Sequence, residues 1–313
     1  ERLVHRAIEV LAVVGVTDHV LAMLDGRDEQ MTPHHRVLGE EDHSDVVPPH
    51  DLVLVARCTP RPRRANFPAP VDPGRRRRTA VPTMTSTVFA LVPAHNEAES
   101  IGAVIEALLA QDRPLDRIIV VSDNSTDRTY EIACSYRDRG VTAVETCGNR
   151  HRKAGALNQA WSMFGQDADL LITLDADTIL PPNAVGDWEQ EFLADPSLAG
   201  SSSKITMPGS RFLVRLQRFE FAIWTDTSLR RGWTSVLAGT ACCIRSDVLR
   251  TITKCQAMND GREGPWSYDS QVEDFELTYR IREAGYHCHV SPTVRAYTDA
   301  MDTVHSLWRQ RMK

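Results

Sequence analysis

The sequence predicts an α/β fold with a mostly parallel sheet, and three observations carry that reading. From Thr87 onward, apolar runs of strand length alternate with helical patterns. Polar and acidic residues gather just past the ends of those apolar runs. The 313 residues, 42% of them hydrophobic, are enough for one large domain with a buried core.

The elements follow in order. The first apolar run predicts a strand over 88–92, and the next pattern a helix over 98–109. A strand over 118–121 and a helix over 126–137 come next, then a short strand over 141–144 and a helix over 154–164. A strand over 170–174 leads to a helix over 184–193. Parallel neighbours need such crossovers, so helices are expected on both faces of the sheet. Ligands in such sheets bind beyond the carboxyl ends of the strands.

Upstream, the texture differs. Residues 1–58 read as a small amino-terminal module, α/β or helical. Leu3, Ile8, Leu11, Val14, Val20, Leu21 and Leu24 have helical spacing that stops at Asp25-Gly26. His34, His35, His43 and His50 lie among acidic residues at spacings that match no standard ligand pattern, so they read as a solvated loop. A short strand is expected over 51–57. Residues 59–85, rich in Pro and Arg, read as a linker, and residues 86–313 as the main domain.

Composition narrows the function classes. The formal net charge of -6 gives no electrostatic reason to expect nucleic acid as a partner. The seven cysteines form no CxxC pair and read as reduced thiols of a cytoplasmic protein, with Cys242 and Cys243 as strand residues. No apolar run is long enough to cross a bilayer.

The candidate chemistry sits where the sheet predicts it. The first strand ends at Pro93-Ala94-His95-Asn96-Glu97, the second at Ser122-Asp123-Asn124-Ser125-Thr126-Asp127, and the fourth at Asp175-Ala176-Asp177. Thr126 or Asp127 also suits a helix cap. Alternation points Asp175 and Asp177 the same way. Two such carboxylates bind a hard divalent ion, which also takes phosphate oxygens from a substrate. A Gly-rich phosphate loop after the first strand would mark a nucleotidyltransferase, and Pro93–Ala98 does not supply one.

Asp123, Asp175-Ala176-Asp177, Val272-Glu273-Asp274 and Gln310-Arg311-Met312-Lys313 occur in the order seen in family 2 glycosyltransferases, and the chain resembles that family. Arg152-Lys153-Ala154-Gly155-Ala156-Leu157-Asn158 is similar to the KAGxLN segment of its cellulose, chitin, hyaluronan and poly-N-acetylglucosamine synthase branch. The resemblance covers residues 87–313 and implies a GT-A (Rossmann-like) fold, with a mixed, mostly parallel sheet flanked by helices. It implies Ala94, Glu97, Asp123, Lys153 and Asp175 as donor nucleotide-binding residues, and Asp177 with Asp175 as metal ligands. Asp274 becomes the general base. Gly239, Thr240, Glu273, Gln310 and Arg311 become the acceptor and diphosphate region. The implied donor is a UDP-sugar and the implied cofactor a divalent metal, Mn2+ or Mg2+.

The mechanism also follows from the chemistry. A diphosphate leaves as an anion, which a divalent ion stabilises. An acceptor hydroxyl attacks once a carboxylate removes its proton. Asp274 opens a helical pattern, where a carboxylate is stabilised; a simple helix cap is the structural alternative. A single displacement inverts the anomeric carbon to a β-linkage.

Several points stay open at this stage. Trp266 and Tyr268 suit either sugar stacking or packing. His287, His289 and His305 read as structural. The family pattern Q-x-x-R-W ends here at Lys313, a charge without arginine's planar fork, so the native chain is expected to continue. The resemblance leaves room for membrane contact through a segment beyond Lys313, at the inner face of the membrane. Glycan, lipid-linked and protein acceptors are all compatible. The alternatives are a lipid-phosphate or protein glycosyltransferase, or a non-catalytic sugar-nucleotide-binding domain.

Overall fold

The computed structural model describes residues 86–260, 263–268 and 272–311. All belong to the unit Val81–Lys313. The expected amino-terminal module and linker lie outside the described residues, as do Met312 and Lys313.

The chain alternates as expected through its first half. Strand β1 (Val88–Ala94) is followed by helix α1 (Ile101–Leu109), β2 (Arg117–Ser122), α2 (Thr129–Cys134) and β3 (Val141–Glu145). Helix α3 (Arg152–Met163), β4 (Leu170–Leu174) and α4 (Ala184–Ala194) complete that half. Both α1 and α2 start three residues later than the pattern predicts, for one reason. The Asp127 carboxylate accepts from the Ala98 and Thr129 N–H groups, at 3.0 Å each. Those bonds hold the intervening residues as stitched turns. Asp127 is therefore structural, as the capping alternative anticipates.

The second half departs from pure βα alternation. Strand β5 (Leu198–Thr206) leads into the 20-residue α5 (Phe212–Arg231), followed by β6 (Ala241–Arg245) and α6 (Ser246–Asp260). Helix α7 (Glu273–Glu283), β7 (His287–Tyr297) and α8 (Val304–Arg311) end the described chain. The sheet has seven strands in the order β3-β2-β1-β4-β6-β5-β7. β3, β2, β1 and β4 are parallel; β6 is antiparallel to both β4 and β5; β7 is parallel to β5. The sheet is thus mixed and mostly parallel.

Side-chain alternation builds a core on each face. Val88, Ala90 and Val92 pack with Ile101, Val104, Ile105, Trp188 and Phe192 on one face. Phe89 and Leu91 pack with Leu157, Trp161, Leu249, Leu277 and Ile281 on the other. Cys242 and Cys243 are buried strand residues, one on each face. His287 approaches Asp195 at 3.3 Å and His289 approaches Glu191 at 2.8 Å, which makes both structural. Among the described residues no helix is long and apolar enough to cross a membrane.

Candidate active site

The site forms at the carboxyl edge of the parallel strands. The loops after β1 and β2 are tied to each other there. Asn96 N–H donates to Ser125 Oγ at 3.2 Å, and Asn96 Oδ1 accepts from the Thr126 N–H at 2.8 Å. Asn96 and Asn124 both adopt left-handed backbone, at φ 57° and 50°, which asparagine tolerates better than most residues. Glu97 is held through its N–H to Thr129 Oγ1 (2.8 Å) and through Oε2, which accepts from Ser100 Oγ (2.7 Å).

Asp123 is buried, yet it lines the cleft. Its Oδ1 accepts from Asn124 Nδ2 (2.9 Å), Thr146 Oγ1 (2.9 Å) and Asn149 Nδ2 (2.7 Å). Oδ2 has no partner among the described residues. One oxygen is therefore anchored while the other stays available to a donor group on a ligand. Asn149 is the hinge pin of this corner. Its Nδ2 also donates to the Arg152 carbonyl at 2.8 Å, and its Oδ1 accepts from the His151 N–H at 2.9 Å. Gly155 makes room for it: a Cβ there would lie 1.9 Å from Asn149 Oδ1.

The cleft has a volume of about 520 Å³ and is lined by Ala94, Glu97, Asp123, Lys153, Asp175 and Asp177 together with His95, Asn124, Asn149, Arg150 and Arg152. The expected donor and metal residues thus share one opening. Lys153 Nζ donates to Asp175 Oδ1 at 2.5 Å and to the Gly239 carbonyl at 2.8 Å. Burial alone would lower its pKa, but Asp175, with Glu273 and Asp274, raises it above the ordinary lysine value. Lys153 is a fixed cation. Asp177 is pushed up from the ordinary carboxylate range by burial, then by the charges of Asp175 and Glu97.

Gly239 stands between this cleft and Asp274. Its N–H donates to Asp274 Oδ2 at 3.1 Å, and Asp274 Oδ1 accepts from the Phe275 N–H at 2.8 Å. A Cβ on Gly239 would sit 3.1 Å from both Asp274 Oδ2 and Lys153 Nζ. Thr278 Oγ1 accepts from the Leu237 N–H (2.8 Å) and donates to the Asp274 carbonyl (2.6 Å), locking α7 against this strand-like segment. Asp274 lies in the first turn of α7, half-buried, and lines a groove. Burial pushes the neighbouring Glu273 up, while Lys153 opposes.

That groove, about 350 Å³, is lined by Ile205, Glu220, Phe221, Trp224, Val236, Ala238, Gly239, Thr240 and Asp274. Arg311 reaches its border through an ion pair with Glu220 at 2.6 Å. Burial holds Glu220 above the ordinary carboxylate range, and Arg311 offsets only part of that rise. Gln310 is exposed on α8 and lines neither cleft nor groove.

Sequence reasoning missed Asn149 and Arg150 in the cleft, noted Arg152 without giving it a role, and missed Glu220, Phe221 and Trp224 in the groove. The Arg150-His151-Arg152 run beside Lys153 was a usable signal. α5 gave none. Trp266 is buried and its N–H donates to Asn158 Oδ1 at 3.1 Å, while Tyr268 stacks on His151 with ring centroids 4.2 Å apart. Both rings are engaged in packing.

Such a mixed sheet, with carboxylates gathered on one edge and a further acid across a reversed strand, is the GT-A architecture of glycosyltransferases. The chain belongs to Glycosyl transferase family 2, whose sequence model matches residues 89–252. A poly-beta-1,6-N-acetyl-D-glucosamine synthase of Staphylococcus aureus (strain COL) is 27% identical over 224 residues, 71% of this chain and 52% of that protein. A synthase of the same description from Staphylococcus epidermidis is 25% identical over 225 residues, with the same coverage of 71% and 52%. The chain spans about half the length of these curated relatives. The mannosyltransferase PcManGT from Pyrobaculum calidifontis, solved with GDP-Man and Mn2+, aligns with TM-score 0.57 at 23% identity over 74% of this chain and 61% of that one. S. aureus TarS 1-349 with UDP aligns with TM-score 0.51 at 16% identity over 68% and 60%. These structural likenesses support the fold.

Proposed function

We propose that this chain is an inverting, metal-dependent glycosyltransferase that moves a hexose or N-acetylhexosamine from a UDP-sugar to an acceptor hydroxyl, forming a β-linkage. The observation that carries the reading is the placement of Asp274 across Gly239 from the carboxylate-lined cleft. A donor on one side and an acceptor on the other meet at that peptide.

Asp123, with one oxygen anchored, accepts from the base; Ala94 and Glu97 flank the nucleoside. Asp175 and Asp177 fit a divalent ion, Mn2+ or Mg2+. Both are hard oxygen ligands, and Asp177 lacks compensation for its charge, since its carboxyl is raised by burial and by its acidic neighbours. Among the described residues no group of three or more His, Cys, Asp or Glu stands ready to hold a metal alone. Asp175 and Asp177 would hold the ion together with oxygens of the donor. When bound, the ion supplies charge stabilisation for the departing diphosphate. Lys153 keeps Asp175 in place and fixes the Gly239 carbonyl. Asp274 takes the proton of the acceptor hydroxyl as it attacks, its orientation set by the Gly239 and Phe275 N–H groups. Glu273, Thr240, Gln310 and Arg311 belong to the acceptor and diphosphate side. PcManGT was solved with GDP-Man and Mn2+, which supports a nucleotide-sugar donor with a divalent ion, and TarS with UDP, which favours the uridine nucleotide.

A poly-N-acetylglucosamine synthase among the relatives favours a glycan acceptor over a lipid-linked or protein one. Cytoplasmic action, with membrane contact through segments outside this chain, completes the reading. The test is UDP release from UDP-sugars with Mn2+ and candidate glycans. Asp274→Asn is expected to lower turnover roughly 10²- to 10⁴-fold with UDP affinity retained. Undiminished turnover in that variant overturns the base assignment. Donor binding without turnover on any acceptor points to a non-catalytic domain.

A further inference from the structure

Arg150 and Arg152 line the donor cleft. Neither guanidinium has an ion-pair or hydrogen-bond partner among the described residues. Arg152 also adopts left-handed backbone, φ 51°, a conformation that penalises a side chain bearing Cβ. Asn149 enforces it by holding the Arg152 carbonyl at 2.8 Å and the His151 N–H at 2.9 Å. Strain of this kind persists only where the surroundings over-determine it. A glycine would give the same loop without strain. An arginine there keeps a guanidinium at the cleft at the expense of stability.

The charges around the cleft show what that guanidinium can serve. Glu97, Asp123, Asp175 and Asp177 are acidic. The remaining lysine, Lys153, is already neutralised by Asp175 at 2.5 Å and tied to Gly239. A doubly charged leaving group entering this cleft needs cations that are not already committed. A guanidinium also presents a planar fork that matches two phosphate oxygens.

Building on the donor-site reading above, we infer that Arg152 is a diphosphate-binding residue of the donor cleft, with Arg150 as a second cation. Lys153 serves chiefly as the positioning residue between Asp175 and the Gly239–Asp274 segment.

The test compares UDP with uridine, which share the base and ribose and differ in the diphosphate. Binding is measured by calorimetric and NMR titration of wild type, Arg152→Gly and Arg152→Lys, alongside thermal unfolding. Wild type is expected to bind UDP more tightly than uridine. Arg152→Gly is expected to weaken UDP roughly ten- to a hundredfold while uridine changes less than about twofold. The same variant is expected to melt at or above the wild-type temperature, because the backbone strain is relieved. Arg152→Lys should recover part of the UDP affinity. Equal weakening of UDP and uridine, or no change in either, overturns the inference while leaving the donor site standing. Failure of folded wild type to bind UDP overturns the donor-site reading and the inference with it.

Discussion

Lys153 Nζ donates to Asp175 Oδ1 at 2.5 Å, and the same ammonium reaches the Gly239 carbonyl at 2.8 Å, so one cation joins the donor carboxylates to the segment facing Asp274. Lys153→Met removes it and leaves Asp175 beside Asp177 and Glu97 uncompensated. The variant should lose roughly 1–3 kcal/mol in denaturant unfolding, the usual penalty for a partly buried group deprived of its partner. Mn2+ should then raise the melting temperature of the variant more than that of wild type, because it replaces the missing positive charge. An equal metal effect in both proteins would show that Lys153 does not balance these carboxylates.

Gly239→Ala places a methyl group 3.1 Å from Asp274 Oδ2 and from Lys153 Nζ. One of the two must move, and the Gly239 N–H bond to Asp274 is the weaker restraint at 3.1 Å. A shift of a few tenths of an ångström relieves that contact, so the fall in rate is expected to stay below the roughly 10²-fold cost of a 1 Å misplacement. The expected signature is therefore a fall in kcat with UDP affinity nearly unchanged. A parallel loss of UDP affinity would mean that the methyl group disturbs Lys153 instead.

Much of this arrangement is legible in the sequence because it is local. Strand β4 coincides with the apolar run over 170–174, and the acids that follow it land in the cleft. Asp274 sits in the first turn of α7, as its helical pattern implies. What escaped depends on contacts distant in sequence or on inverted polarity. α5 buries Gln217, Thr225 and Ser228 while exposing Phe212, Phe219 and Ile223, so its apolar periodicity does not mark its inner face. Asn149 looks like an ordinary loop residue until Gly155, six positions later, is seen to make room for it.

Gly155→Ala tests that corner directly. The added carbon would lie 1.9 Å from Asn149 Oδ1, so Asn149 must leave and Asp123 loses its 2.7 Å donor. Uridine affinity should fall by roughly tenfold, since the anchored base-binding carboxylate is disturbed, and UDP affinity at least as much, because Asn149 also holds the Arg152 carbonyl. That pattern contrasts with the UDP-selective loss expected at Arg152. Unchanged uridine affinity in a folded Gly155→Ala protein would remove Asp123 from base recognition.

The buried thiols set an alkaline limit. Burial pushes Cys242 up to about 11 and Cys288 up to about 12. In the unfolded chain a thiol ionises near pH 8.5 (roughly), so above that pH the unfolded state releases a proton that the folded state retains. The unfolded state then binds fewer protons, and stability falls with rising pH by up to about 1.4 kcal/mol per unit for each thiol. Below about pH 8 neither thiol contributes. Urea unfolding at pH 8 and 10 should show a stability drop about 2 kcal/mol smaller in Cys288→Ala than in wild type, whatever the variant's overall stability. Identical drops would show that Cys288 does not resist ionisation.

The Glu220–Arg311 pair joins α5 to α8 at the border of the groove containing Asp274, with about a third of each side chain exposed. Exposure of that degree limits the coupling to about 0.5–1 kcal/mol in a double-mutant cycle of Glu220→Gln and Arg311→Gln. Catalysis should be more sensitive than stability, because reversing the pair puts a cation at position 220, which lines the groove with Asp274. The double variant Glu220→Arg with Arg311→Glu is therefore expected to recover most of the coupling energy while transfer stays well below wild type. Recovery of both would make the pair a simple clasp between helices. Strictly additive single variants would mean that the two side chains do not interact in solution.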